Sequence, residues 1–456
     1  MALPSASRPL ALPVLRRLTP ALPVVAIIAM LCLPVAADSR ATPADAVSGL
    51  AVLWAAVRTV RRARRPLTTT AAVVLGLPVV GIAVAACGAA TPGDALTGLA
   101  RYLQAFVLVP AAVVLLLRDR RDARLVLWSL VGLALWQGAI GVHQYLTGTG
   151  ASYQGAYIRA VGTFGPTNVM DMATAVAFGV VAATGLALGA PARRQRVVAA
   201  GCALVLLVPL TVSFSRGSWI ATALACGAQL LSAGVRRAAK VGAAAVAAAV
   251  VLVGGFGVGT TALQERLTSI TRVTDAPDQS VIDRYSLWAA ATGMWREHPV
   301  TGVGLKAFPA YRDGHAPLAL SSGSDTEGAG RSYWRQPLLS PHDMYLLMLS
   351  EQGLLGLLTV AGSWLALLVR AVGRLRRAGR APDCAVAACG LLLWQLVDYV
   401  YADIGGPSTV LMAVALGLAA WWALAPGATA ATELAASELA ASERAATERA
   451  ASELPR

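Results

Sequence analysis

QERLTSITRVTDAPDQSVIDRYSLWAAATGMWREHPVTGVGLKAFPAYRDGHAPLALSSGSDTEGAGRSYWRQPLLSPH runs from Gln264 to His342. It is a long polar interval in a chain that is otherwise one apolar run after another, and it holds three of the four histidines, His298, His315 and His342. Of the 456 residues, 57% are hydrophobic and 14% charged. A soluble chain carries about a quarter charged residues. The shortfall and the repeated apolar runs of about 20 residues indicate a polytopic membrane protein. The formal net charge of +14 does not point to nucleic acid, because the arginines sit in short clusters between apolar runs, the pattern of cytoplasmic loops. No nucleic-acid partner is expected, and the lipid bilayer is the expected surrounding.

Outward from the polar interval, apolar spans fall near 18–37, 43–60, 69–90, 97–117, 124–143, 168–190, 197–214, 218–235, 241–262, 343–369, 383–402 and 407–425. At about 20 residues each, this predicts an all-α polytopic protein of about twelve transmembrane helices with one large helix-containing loop. Basic clusters alternate with loops poor in Lys and Arg: Arg58 to Arg65, Arg118 to Arg124, Arg193 to Arg196, Arg236 to Lys240, and Arg370 to Arg380. The positive-inside rule then puts both termini in the cytoplasm and the long loop outside, together with Tyr145 to Asn168, the turn at Arg216, and Ala402 to Pro407. The expected organisation is membrane helices 1–9 over 1–262, the extracytoplasmic loop over 263–342, membrane helices 10–12 over 343–426, and a low-complexity cytoplasmic tail over 427–456 built on an Ala-Ala-Ser/Thr-Glu-Leu/Arg repeat. Pro34 to Asp38 also suits a signal-peptide cleavage site. A retained first helix is preferred, since Leu18 to Ala37 is long enough to span. The six cysteines lie in or beside apolar runs, with no metal or disulfide spacing.

Arg216 is the charged residue between Arg196 and Arg236, in Ser213-Phe214-Ser215-Arg216-Gly217-Ser218-Trp219. An arginine at a membrane boundary is a functional candidate by default; the alternative is snorkelling to the interface beside Trp219. Within the long loop a helix is expected over Asp283 to Glu297, capped by Ser280 or Asp283, with Leu287, Trp288, Ala291, Met294 and Trp295 on one face. Arg284 in its first turn is poorly placed for the helix dipole, which suggests another purpose, a surface ion pair being the alternative. His298 and His315 read as structural, and Ser321 to Gly330 as a mobile Gly/Ser-rich stretch. His342 stands where the loop re-enters the membrane, with Ser340 and Pro341 suited to cap the next helix and Asp343 to its first turn. Such a histidine is either a general base or a satisfied interfacial side chain. No DxD or HExxH motif stands out, so no metal and no cofactor are expected, and charge neutralisation falls to arginines.

Four segments resemble the O-antigen ligase and polymerase superfamily of polytopic bacterial membrane proteins. Arg159-Ala160-Val161-Gly162-Thr163-Phe164 followed by Asn168 resembles its Arg-x-x-Gly-x-Phe segment. Ser213 to Gly217 resembles its Ser-Arg-Gly turn. Arg284 to Leu305 resembles the loop helix ending in His-Pro-x-x-Gly-x-Gly. His342-Asp343-Met344-Tyr345-Leu346, with Glu351 to Gly356, resembles its His-Asn-x-Tyr-Leu helix. Asp343 departs from the family, which commonly has Asn there. The resemblance covers roughly Tyr157 to Leu368. It implies transfer of a glycan from an undecaprenyl-pyrophosphate carrier to a glycan, lipid or cell-wall acceptor outside the cytoplasmic membrane. Arg216 and Arg284 would bind the pyrophosphate, with Arg159 a third ligand. His342 would be the base, with Asp343 and Tyr345 on the substrate side, and a single displacement would invert the anomeric carbon. The alternative from another class is a polyprenyl-linked glycan flippase or other secondary transporter, which also uses membrane arginines.

Overall fold

A chain in hydrocarbon must satisfy its own backbone hydrogen bonds, so its apolar runs become helices. The computed structural model describes residues 20–35, 41–62, 67–153, 155–236, 238–240, 279–378 and 383–425. The helices are α1 (Leu22–Met30), α2 (Pro43–Arg62), α3 (Thr69–Cys87), α4 (Pro92–Leu116, π-helical at Gln104–Leu108) and α5 (Arg120–Thr147). After strands β1 (Ala151–Tyr153) and β2 (Ala156–Arg159) follow α6 (Asp171–Gly189), α7 (Arg193–Thr211) and α8 (Arg216–Ser232). The long loop contributes α9 (Gln279–Glu297), α10 (Phe308–His315), β3 (Ser324–Gly328) and β4 (Arg331–Gln336). Last come α11 (Met344–Arg377), α12 (Asp383–Asp398) and α13 (Ser408–Leu424).

Six of these are long and apolar enough to cross a membrane: α3, α4, α5, α6, α7 and α11. α8, α12 and α13 have 17, 16 and 17 residues, and α1 has nine, well short of the expected 18–37 span. The expected span 241–262, the start of the loop at Gln264, and the repeat tail lie outside the described residues. Together the helices are those of a multi-pass membrane protein. α13 is buried along its whole length, packed among α4, α11 and α12. Its two tryptophans are satisfied there, Trp421 donating to the Leu117 carbonyl and Trp422 to that of Ala371, each at 3.1 Å. α6, rich in Ala and Gly, lies between α5, α7, α8 and α12; small side chains let helix backbones approach closely in a membrane. The outer helices instead expose large apolar side chains, among them Val73 and Val80 on α3 and Leu204, Val205 and Val208 on α7.

The fold is not all-α. β1 to β4 form one antiparallel sheet in the order β2-β1-β3-β4. It joins the 151–159 hairpin to a hairpin of the long loop, with Ala151 opposite Gly328. The stretch expected to be mobile, Ser321 to Gly330, therefore contains an ordered strand. β3 reads Ser-Asp-Thr-Glu-Gly and has no apolar alternation to announce it. Its support is polar and comes from across the sheet: Tyr333 donates to Asp325 and Tyr157 to Glu327, each at 2.8 Å.

α11 is broken at Gly353, whose φ of 64° and ψ of −165° leave the helix. The backbone groups released there are taken up by the turn after α9. Leu354 and Leu355 N–H donate to the Pro299 and Val300 carbonyls, and Val303 and Gly304 N–H donate to those of Ser350 and Glu351. His298-Pro299-Val300-Thr301-Gly302-Val303-Gly304 is thus a plug seated in a helix break, and it fixes α9 to the membrane helices. Two expected caps are corrected. Asp283 lies inside α9, four residues after its first described residue, and its carboxylate accepts from Ser321 N and Oγ. α11 is capped by Asp343, not Ser340, because its Oδ1 accepts from Leu346 N at 2.8 Å.

Candidate active site

The Ser213–Arg216 turn is rigid for local reasons. Ser215 caps α8, accepting from Ser218 N, and its hydroxyl bonds that of Ser218 at 2.9 Å. Phe214 sits at φ 53°, a conformation a bulky residue adopts only when its surroundings hold it there. Tyr153 of β1 stacks on it with ring centroids 4.9 Å apart. Arg216 therefore leaves the first turn of α8 at a fixed point. Arg159, at the end of β2, comes to the same turn: its Nε donates to the Ser213 carbonyl at 3.3 Å, and Ala160 N donates to that of Val212. The segment after Arg159 is held by two glutamines of α5. Gln144 Oε1 accepts from Val161 and Gly162 N–H, and Gln137 Oε1 from Thr163 N–H.

The second half of the site comes from α9, the head of α11 and residues 399–407 between α12 and α13. Arg284 Nη1 donates to the Tyr401 carbonyl at 2.8 Å and to that of His342 at 3.4 Å. Trp288 Nε1 donates to the Pro341 carbonyl, and Met344 N to that of Tyr399. Between these ties His342 takes φ 49°, the left-handed region again. Tyr401 packs on Gly217, where an added Cβ would lie 3.2 Å from the tyrosine Cβ. So Tyr401 connects the Arg216 turn to Arg284 and His342, and four of the six expected residues (Arg159, Arg216, Arg284 and His342) converge from separate parts of the chain.

The charges are arranged around this point. Arg284 acts electrostatically on Arg216, Asp403 and Asp398. Burial lowers the Arg284 pKa, Asp403 works against that, and the Arg216 cation adds to it. For His342 the loss of solvent around the ring holds the pKa below its ordinary value; Asp403 opposes this, and Arg284 reinforces it. Near neutral pH the imidazole is therefore neutral and able to accept a proton. Two guanidinium groups close together beside a neutral imidazole suit a dianionic ligand with a proton to be removed nearby.

Asp343 and Tyr345 have structural contacts. The Asp343 carboxylate caps α11, while the Tyr345 hydroxyl donates to the Leu396 carbonyl at 2.8 Å and its ring meets Trp364 edge-on. His315 ties α10 to α9: Nδ1 donates to the Tyr311 carbonyl at 2.8 Å and Nε2 faces Glu297 at 3.2 Å. Two acceptors favour the imidazolium, and the His315 pKa is raised, chiefly by the Tyr311 bond.

Asp398 and Asp403 belong to the site and are absent from the sequence expectations. Both Asp398 carboxylate oxygens and Asp403 Oδ2 are buried without a hydrogen-bond partner. The signal was available: Asp398-Tyr399-Val400-Tyr401-Ala402-Asp403 puts two carboxylates into an apolar stretch, and the rule that singles out Arg216 singles out Asp398 equally.

Residues 200–361 match a family model described as O-antigen ligase. The match covers about a third of the chain and includes Arg216, Arg284, His342, Asp343 and Tyr345; Arg159, Asp398 and Asp403 lie outside it. It supports the O-antigen ligase and polymerase superfamily for this chain. No curated protein matches the chain.

Proposed function

We propose that this protein, with its O-antigen-ligase-like region, is a membrane glycosyltransferase of cell-surface polysaccharide assembly that moves a glycan from an undecaprenyl-pyrophosphate carrier to an acceptor hydroxyl or amine. The observation that carries the reading is the convergence of Arg216 and Arg284 beside His342. Arg216 and Arg284 bind the pyrophosphate oxygens, and Arg159 extends the same cationic edge. His342 takes the acceptor proton as the acceptor atom bonds to the anomeric carbon. The bond from that carbon to the pyrophosphate oxygen breaks, its electron pair leaves with the pyrophosphate, and the arginines stabilise the charge that develops. One displacement inverts the anomeric centre. Two arginines supply the charge neutralisation that a metal ion would otherwise provide, so the reaction is metal-independent. In this reading the site faces outside the cytoplasmic membrane and both termini face inside, which the alternation of the arginine clusters supports.

Cells lacking the protein test the reaction class through their lipid-linked glycans. Accumulated single repeat units identify a polymerase, and accumulated full-length lipid-linked polymer a ligase. Units trapped on the cytoplasmic face would replace both with a flippase. Arg216→Ala and His342→Ala are each expected to abolish transfer at wild-type expression and topology. Activity retained in both variants would remove the site assignment.

A further inference from the structure

Residues 399–407 carry Tyr401 and Asp403 into the site, yet they are a short connection between α12 and α13. Their N-terminal side is held by α12, with Tyr401 N–H donating to the Asp398 carbonyl at 2.7 Å, and by Met344 N and Arg284 Nη1, which donate to the Tyr399 and Tyr401 carbonyls, each at 2.8 Å. The C-terminal side is held by groups from far away in sequence. Arg101 of α4 donates through Nη2 to the Gly406 carbonyl at 2.7 Å and through Nη1 to Asp45 Oδ1 of α2 at 2.6 Å. Asp171, at the start of α6, accepts from Ser408 Oγ at 2.7 Å and from Ser408 N at 3.2 Å. Arg101 and Asp45 are both largely shielded, with side chains 17% and 13% exposed.

The helix around Arg101 is itself irregular. Three residues on, α4 enters its π-helical stretch, whose first residue, Gln104, donates to Asp45 Oδ1 at 3.1 Å and to Ser48 Oγ at 2.8 Å. A π turn inside an α-helix is commonly found where function is served. Here it swings Gln104 onto the carboxylate that orients Arg101. A planar guanidinium presents two parallel donors at a fixed angle, which a lysine does not, and Arg101 uses one on each side of the gap between α2 and the 399–407 connection.

We propose that Arg101, oriented by Asp45 and Gln104, is a positioning residue of the transfer site: by holding the Gly406 carbonyl it sets where Asp403 stands relative to His342 and Arg284. Its effect on turnover rests on the transfer reading above; its effect on His342 does not. The charged groups acting on His342 are Asp403 from the connection and Arg284 from α9. Of these, only Asp403 stands on the segment that Arg101 holds.

The test uses the full-length protein in lipid nanodiscs, with histidine labelled in carbon-13 and the His342 ring signal identified by its loss in His342→Gln. The His342 titration midpoint is measured in wild type, Arg101→Gln, Arg101→Lys, Asp45→Asn, Asp403→Asn and Arg101→Gln/Asp403→Asn. Asp403→Asn removes an anion that favours the imidazolium, so the midpoint is expected to fall. Arg101→Gln is expected to lower it in the same direction, Asp45→Asn by less, and Arg101→Lys to recover part of it. The double variant is expected to match Asp403→Asn alone. In parallel, transfer by Arg101→Gln is expected to drop about tenfold in kcat with KM within about twofold, as a displaced site group would produce. A midpoint unchanged in Arg101→Gln and Asp45→Asn while Asp403→Asn shifts it overturns the proposal, and so does additivity in the double variant. If Arg101→Gln does not fold, Asp45→Asn and Arg101→Lys decide the same question. Shifted midpoints in a protein without transfer activity would uphold the positioning role and remove the transferase reading.

Discussion

His342 joins two properties that seldom coincide: a left-handed backbone and a ring kept neutral by its surroundings. The first is maintained by hydrogen bonds to the carbonyls on either side of its Cα, from Trp288 and Arg284. The second gives a signed prediction. Burial lowers the His342 pKa from about 6.5, so the acid limb of the transfer rate is expected below pH 6.5. Activity falls as the imidazole protonates on going down in pH, and a pH–rate profile checks this; a limb above pH 7 would remove His342 as the base. Asp343 yields a prediction of the opposite kind. Its carboxylate is used as a helix cap, and an asparagine oxygen makes the same bond. Asp343→Asn is expected to leave transfer and melting temperature close to wild type, while Asp343→Ala costs about 1 kcal/mol, measured by thermal unfolding of the purified protein. At this scale the sequence reveals Arg216 and His342, because a charged or titratable group at a membrane boundary is visible without a structure. It does not separate His342, which lies in the site, from Asp343 and Tyr345, whose side chains are turned to a cap and to α12. That distinction depends on side-chain direction at consecutive positions.

Among the elements, the join between the α9 turn and the break in α11 matters most to the site. Gly302 has φ 68°, and an added Cβ would lie 2.5 Å from Gln352 N. Gly302→Ala therefore strains the backbone and pushes the plug out of the break. A loss of 1–3 kcal/mol, in the range of roughly 1–3 kcal/mol for a residue forced into such a conformation, is expected by thermal unfolding, with reduced transfer because α9 carries Arg284. Unchanged stability would show that the plug does not anchor α9. The helix α9 itself is legible in the sequence from its apolar spacing, and the turn after it from Pro299 and the glycines. That this turn completes the hydrogen bonding of a helix 47 to 55 residues later is not legible, since no local pattern encodes the partner of a free carbonyl or N–H. The sheet escapes for the same reason. β1 and β3 meet across more than 170 residues, and polar strands carry no periodic signal.

For the whole molecule, composition alone gives the membrane class, and the apolar runs locate most helices to within a few residues. What composition cannot give is which helices face lipid and which are enclosed: α13 and the part of α7 after Arg196 are both charge-free, one buried throughout and the other exposing Leu204, Val205 and Val208. The broken helix α11 has a further consequence, and it concerns depth. From Leu354 to Val369, ahead of the Arg370 to Arg380 cluster, it has 16 residues, about 24 Å at 1.5 Å per residue, against a hydrocarbon core of about 30 Å. The charge-free part beyond Gly353 is thus about 6 Å short of a full crossing. Its large exposed apolar side chains, Leu354, Leu358, Leu365 and Val369, all lie on that part, whereas Met344, Leu347, Met348, Glu351 and Gln352 before the break are enclosed by protein. The exposed apolar surface of α11 therefore begins at the break, and none of the nine residues of α11 before Gly353, which follow His342, is exposed. Under the proposed transfer, a lipid-anchored phosphate reaches His342 through surroundings lined by protein, not along the exposed apolar part of α11.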